Sequence, residues 1–264
     1  MSLPIELIST DFDGTLYAEF ERPPVPESLQ ELIAGLQKAG VKWVINTGRE
    51  LTGLMEAIAR ARLRVRPDYL VLVEREIYVH RGGVYEGLEP WNHSCTRDHA
   101  RLFERVKADV PKLTSWIEER FQADVYEDPW SPFCLVAQNN EDASAIVAYL
   151  DSYCAQVPHL SVMRNDVYAR LNHTAYSKGT ALSEIVRMLG VNKEAVFAVG
   201  DHFNDLPMLL RQHAGLLAAP ANAMPEVKKA VVAQGGYVSQ LECGHGVEEA
   251  LRLHLGMGLN GIQE

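Results

Sequence analysis

Two carboxylates stand two residues apart in the run Asp11-Phe12-Asp13-Gly14-Thr15, where an apolar strand from Ile5 to Thr10 ends. In an open α/β sheet, ligands bind outside the carboxyl ends of the strands, so both acids belong in a crevice ringed by main-chain amides. The period-two geometry of extended chain points Asp11 and Asp13 the same way. One can then attack an electrophile while the other handles a proton. The plainer alternative is an Asx-type turn, since Asp and Gly commonly close strands. Three later signals favour chemistry: Thr47-Gly48-Arg49 after a second apolar strand, Lys178-Gly179 at a helix start, and Gly200-Asp201-His202-Phe203-Asn204-Asp205 after a third strand.

The elements that must position these residues are legible as alternation. Strand Ile5–Thr10 is followed by a helix around Glu27 to Ala39, strand Val41–Asn46, a helix around Leu51 to Leu63 and strand Tyr69–Val73, an order that predicts a parallel sheet covered by helices. Pro26 and Ser28 near the first helix start, with Gly40 just past its end, supply the expected punctuation. Glu76 to Tyr85 reads as a hairpin closed at His80-Arg81-Gly82-Gly83. From Leu88 to Leu171 the pattern changes. A long helical region, Arg97 to Phe121, precedes extended segments Asp124–Glu127 and Phe133–Gln138, a helix from Asp142 to Cys154, and paired strands Leu160–Met163 and Val167–Leu171. Helices with adjacent antiparallel strands suggest a separate α+β unit. Alternation resumes with a helix over Ser177–Leu189, strand Ala195–Val199, and short strands near Gly215–Ala218 and Gly236–Val238. The expected fold class is therefore α/β, with a discontinuous core over residues 1–87 and 172–264 and an inserted α+β domain over 88–171.

The four signals, in this order, resemble the motifs of the haloacid dehalogenase superfamily and span nearly the whole chain. The resemblance implies a Rossmann-like parallel-sheet core. The insertion between the threonine and lysine motifs is similar to the branch with a mixed α/β cap (subfamily IIB), which includes Cof-like and sucrose-phosphate phosphatases. Most of that branch cleaves phosphate monoesters. What the resemblance implies is a phosphatase acting on a small phosphorylated metabolite, a sugar phosphate above all. Asp11 would attack phosphorus to form an aspartyl phosphate. Asp13 would protonate the leaving oxygen and later deprotonate water. Because the substrate is a dianion, an attacking carboxylate needs a cation between them. Mg²⁺ suits such a site, binding one or two carboxylates plus the phosphate. Asp11 and Asp201 would supply those carboxylates; by resemblance the main-chain carbonyl of Asp13 adds a ligand and Asp205 holds a coordinated water. Thr47, with the neighbouring Gly48 and Arg49, and Lys178 would bind the transferring phosphoryl group. Asn204 would orient Lys178 or the acidic cluster. His202 departs from the small hydroxyl residue common in relatives, and packing is its plainer reading. Val73-Glu74-Arg75-Glu76 departs from the Asn, Gly and Ala that commonly follow the third strand in Cof-like relatives.

The cap must read the leaving group, because the core loops handle only phosphate. Candidates are Trp130, in the rigid turn Glu127-Asp128-Pro129-Trp130-Ser131-Pro132, and Arg164 and Arg170. The plainer readings are a cap-core aromatic for Trp130 and a solvated sheet face for the arginines. A phosphomutase of the phosphomannomutase type uses the same chemistry and is the alternative; a non-catalytic metabolite-binding protein would have no need of a nucleophile.

Composition fits this reading. The chain has 264 residues, 47% of them apolar, and a net charge of −10. That charge disfavours nucleic acid or an anionic membrane as partner, since affinity for either comes from clustered Lys and Arg. The basic run Arg60, Arg62, Arg64 and Arg66 near a helix C-terminus is explained by the helix dipole and solvation. No apolar run approaches a membrane span and the start of the sequence lacks a signal core, so a cytoplasmic monomer or homodimer is expected. Cys95, Cys134, Cys154 and Cys243 form no C-x-x-C pair and read as reduced packing residues.

Overall fold

The computed structural model describes residues 3–257, so the outermost ends of the expected core segments, residues 1–2 and 258–264, lie outside the described residues. The chain divides into two compact units: residues 1–88 with 178–264, and residues 89–177. Residues 172–177, expected in the core, belong to the second unit.

The first unit is built on an eight-stranded sheet. In chain order its first five strands and two helices are β1 (Leu7–Thr10), α1 (Glu27–Lys38), β2 (Lys42–Asn46), α2 (Leu51–Ala61), β3 (Tyr69–Leu72), β4 (Glu76–Arg81) and β5 (Val84–Gly87). Six strands are parallel, and the β4–β5 hairpin adds two antiparallel edge strands to β3. All four residues of β1 and of β3 are buried, the mark of a parallel sheet covered on both faces. The helices follow from their sequence. Leu29, Ile33 and Leu36 line the buried face of α1, which carries Glu27 in its first turn and Lys38 in its last. The Glu50 carboxylate caps α2 by accepting from the amides of Thr52 and Gly53. Ile8, Trp43, Ile45, Leu70, Phe197 and Val199 pack on one sheet face with α1 and α2. Of the arginine run, Arg60 pairs with Glu56 and Arg64 with Glu27 on the surface.

The second unit contains α3 (Glu89–Val106), α4 (Val110–Glu118), β6 (Ala123–Asp128), β7 (Ser131–Ala137), α5 (Asn140–Cys154), β8 (Leu160–Asn165) and β9 (Tyr168–His173). Its antiparallel sheet runs β6-β7-β9-β8, and Leu102, Ile117, Phe133, Leu135, Ile146, Leu150 and Leu171 share its core. The long helix expected over Arg97–Phe121 is two helices. Pro111, lacking an N–H, stands in the first turn of α4, where that hydrogen bond is not needed. The first of the two also starts eight residues earlier than expected, at Glu89.

The chain then returns to the first unit with α6 (Lys178–Leu189), β10 (Val196–Val199), β11 (Leu216–Ala219), α7 (Pro225–Ala233), β12 (Tyr237–Val238) and α8 (Cys243–His254). The sheet order β12-β11-β10-β1-β2-β3-β4-β5 places β1 between β10 and β2. No helix among the described residues is long and apolar enough to cross a membrane, and all four cysteines are free thiols.

Candidate active site

Strand register assembles the site. Thr10 of β1 lies opposite Val199 of β10 and opposite Ile45 of β2, so all three strands end at one level. The loops carrying Asp11, Asp201 and Thr47 therefore start side by side. The Asp11 amide continues the ladder by donating to the Val199 carbonyl at 3.0 Å. Phe12, fully buried, stacks on Tyr17 at 5.1 Å and pins the loop between the two acids. Gly14 has φ +74°, and a Cβ there would lie 2.5 Å from Asp201 Oδ2. Only glycine fits both the backbone and the approach of the two loops. Gly200 is required by space alone, because its Cβ would lie 2.5 Å from the Cβ of Asp205.

At the centre is the Lys178 ammonium, 1% exposed. It donates to Asp11 Oδ1 and to Asp205 Oδ1, each at 2.6 Å. The backbone of Lys178 is held in turn by the Asn46 side-chain amide, which donates to its carbonyl at 3.0 Å. Asp205, with no exposed surface, uses its second oxygen to accept from the amides of Asp201 and His202, both at 2.9 Å. Asp201 Oδ1 accepts from the Thr15 hydroxyl at 2.8 Å. One carboxylate oxygen each from Asp11, Asp201 and Asp205 lies within 4.8 Å of the others.

Three carboxylates around one ammonium leave an excess of negative charge, and the protonation equilibria register it. Burial, and then the field of Asp205, raises Asp11 well above the ordinary carboxylate range despite the opposing pull of Lys178. Burial and Asp205 together push Asp201 up to about 7. Burial acts to lower Lys178, but Asp11, Asp205 and Glu74 outweigh it and raise its pKa. A divalent cation among these oxygens would relieve the mutual repulsion, and an all-oxygen donor set suits a hard ion such as Mg²⁺.

Thr47 is buried, its amide donating to the Val71 carbonyl and its hydroxyl accepting from the Arg49 amide at 3.2 Å. Asp13 is not one of the three clustered acids. Both its carboxylate oxygens are held by Arg49, through Nε at 2.7 Å and Nη2 at 2.6 Å. The guanidinium expected near phosphate thus sits on the second acid. Asn204 donates to Glu74 Oε1 at 2.8 Å. Glu74 is the neighbour that the sequence reading left out of the site. It is buried, follows β3 with φ +66°, and approaches so closely that a Cβ on Gly48 would lie 3.2 Å from it. The available signal was an acid at the carboxyl end of a parallel strand. The partly buried His202 sets its ring edge-on to Phe203.

The three cap candidates occupy separate strands and turns of the second unit. Trp130, half-buried, stands in the β6–β7 turn, which Asp128 Oδ1 braces by accepting from the amides of Trp130 and Ser131. With Phe103, Lys107 and Pro111 it lines a cavity of about 430 Å³. Arg164 fastens the end of β8 to the start of α5 through Asn140 and Ser144. Arg170 is 3% exposed, so the solvated-face reading does not hold for it.

The sequence model of the haloacid dehalogenase-like hydrolases matches residues 8–74 and 75–251. The chain belongs to that family. Among curated relatives, the Bacillus subtilis protein YxeH, which bears a provisional phosphatase name, is 24% identical over 93% of this chain and 97% of its own length. The 5-amino-6-(5-phospho-D-ribitylamino)uracil phosphatase YcsE of the same organism is 24% identical over 94% of this chain and 95% of its own. Among solved structures, the sucrose-phosphatase of Synechocystis in complex with sucrose and phosphate superposes with a TM-score of 0.72 at 19% identity, covering 97% of this chain and 99% of that one. The family fold is thus shared throughout: a parallel-dominated sheet with a separate antiparallel one.

Proposed function

We propose that this hydrolase is a Mg²⁺-dependent phosphatase that cleaves a small phosphorylated metabolite, a sugar or polyol phosphate, through an aspartyl phosphate on Asp11. The observation that carries the reading is the buried Lys178 bridging Asp11 and Asp205 beside Asp201, a charge arrangement with no role in packing alone. The names of two relatives point the same way, one a phosphatase for a phosphorylated ribityl chain and the other a sucrose-phosphatase.

Asp11, Asp201 and the main-chain carbonyl of Asp13 would hold the Mg²⁺, with Asp205 as support, and the ion supplies neutralisation of the phosphate dianion. Lys178 holds Asp11 Oδ1, leaving Oδ2 to attack phosphorus. The bond to the leaving oxygen breaks with its electron pair, and Asp13 donates the proton that this oxygen takes. Asp13, now a carboxylate, removes a proton from water as the water attacks the aspartyl phosphate. Asp11 is then released with inorganic phosphate. Thr47, the Gly48 amide and Lys178 stabilise the charge that develops on the transferring group. Substrate selection would fall to the second unit, with Trp130 as its aromatic contact.

The test is phosphate release from a panel of phosphorylated sugars, polyols, nucleotides and glycerates with Mg²⁺. Release confined to sugars and polyols, and abolished both by EDTA and in Asp11→Asn, is the expected result. Release that survives Asp11→Asn would remove the aspartyl phosphate, and, with isotopically labelled phosphate on the substrate, retention of the label on the sugar would indicate a mutase.

A further inference from the structure

Arg49 is held firmly, and its guanidinium is already engaged by a carboxylate. Its amide donates to the Thr47 hydroxyl at 3.2 Å, and its carbonyl accepts from the Val73 amide at 3.0 Å. Its backbone is therefore tied to the catalytic threonine on one side and to the segment just after β3 on the other. The guanidinium lies 5.7 Å from the centroid of the buried Phe12 ring, which also stacks on Tyr17. From this seat its planar fork takes both Asp13 oxygens, at 2.7 and 2.6 Å. A bidentate guanidinium–carboxylate pair fixes orientation as well as position. Asp13 needs such a device, because its side chain is 47% exposed.

We infer that Arg49 is a positioning residue that aims Asp13 at the leaving oxygen and at the hydrolytic water, instead of binding phosphate. The inference rests on the acid–base role given to Asp13 above. Two acceptor lone pairs on each oxygen let Asp13 keep Arg49 while exchanging a proton on its remaining side. The residue is thus an orienting partner of the second acid, as Lys178 is of the first.

The experiment is a double-mutant cycle on the full chain with Mg²⁺ and phenyl phosphate, whose leaving oxygen, unlike that of a nitrophenyl ester, needs a proton. It compares Arg49→Gln, Arg49→Lys, Asp13→Asn and the Arg49→Gln/Asp13→Asn pair, with inorganic phosphate as inhibitor and the thermal midpoint as a folding control. Misplacing a reacting group by an ångström costs about a hundredfold. Arg49→Gln is therefore expected to lower kcat about ten- to a hundredfold with the phosphate inhibition constant within about twofold of the parent. Arg49→Lys should recover only part of that, since one ammonium cannot hold both oxygens. In the Asp13→Asn background the second substitution should change kcat by less than about twofold. Losses that multiply across the pair, or a rise in KM and in the phosphate inhibition constant at preserved kcat, would overturn the inference and return Arg49 to phosphate binding. Full activity in Asp13→Asn would sink the positioning role together with the acid–base reading, whereas additive losses would sink the positioning role alone.

Discussion

Removing or supplying the cation should change stability in a pH-dependent way whose sign is set by Asp201. Its carboxyl is raised from 3.8 to about 7 when the metal-free protein folds. A raised folded pKa means that the folded state binds the proton more tightly than the unfolded chain. The stabilisation is fully present below about pH 4 and is lost as pH rises through about 7. Three units at ~1.36 kcal/mol each give an upper limit of about 4 kcal/mol. The side chain is partly accessible, and solvent screening reduces this to about 2 kcal/mol. For a domain of this size that corresponds to about 4–8 °C in thermal midpoint. About two of those three units lie above pH 5, so metal-free protein should melt lower at pH 8 than at pH 5 by about two-thirds of that amount, about 3–5 °C. Saturating Mg²⁺ should restore the loss, because it binds the ionised carboxylates and stabilises by mass action. Thermal scans with and without Mg²⁺ from pH 5 to 8, repeated on Asp201→Asn, make the measurement. A Mg²⁺-induced shift that is the same at pH 5 and pH 8, or that persists unchanged in Asp201→Asn, would refute the reasoning.

Three further outcomes are expected. Lys178→Met leaves Asp11 and Asp205 buried without their common cation, which should cost about 3–5 kcal/mol in urea unfolding at pH 7.5 and lower turnover about ten- to a thousandfold. A stability loss under about 1 kcal/mol would argue against the pairing. Gly14→Ala forces a Cβ to within 2.5 Å of Asp201 Oδ2 at φ +74°, so phosphate release and the Mg²⁺-induced thermal shift should fall together, with about 1–3 kcal/mol of destabilisation; unchanged Mg²⁺ response would show that the loops can part. Glu74→Gln removes a charge that raises the Lys178 pKa but keeps an acceptor for Asn204, so kcat should fall about tenfold or less with the fold intact. A loss as large as that of Lys178→Met would promote Glu74 to a direct role.

Much of the site was legible because the chemistry sits in short runs at strand ends. Asp11 and Asp13 are fixed by a spacing of two, and Thr47, Lys178 and Asp201 each announce themselves at the edge of a periodic segment. The strands themselves were legible as apolar runs bounded by turn residues. The split of α3 from α4 was also within reach, since Pro111 marks it, but a continuous helical pattern masked the break. The true extents of β8 and β9 were not, because their last residues, Arg164, Asn165, Asn172 and His173, are polar, and period alone does not extend a strand through them.

What the sequence determined by itself is the inventory: which groups can attack, donate protons, carry charge or hold a cation, and that they lie in loops following strands. Local spacing suffices for this, because strand ends and glycine-bearing loops are short-range features. What only the tertiary structure decided is which groups pair. Lys178 meets Asp11 across 167 positions, and Arg49 meets Asp13 across 36. Glu74 reaches Asn204 across 130. Those pairings depend on the order of strands in the sheet, which puts β1 between β10 and β2, and on left-handed backbone at Glu74. Neither is encoded in the spacing of the residues that use it, since sheet order is set by the packing of every strand and helix together.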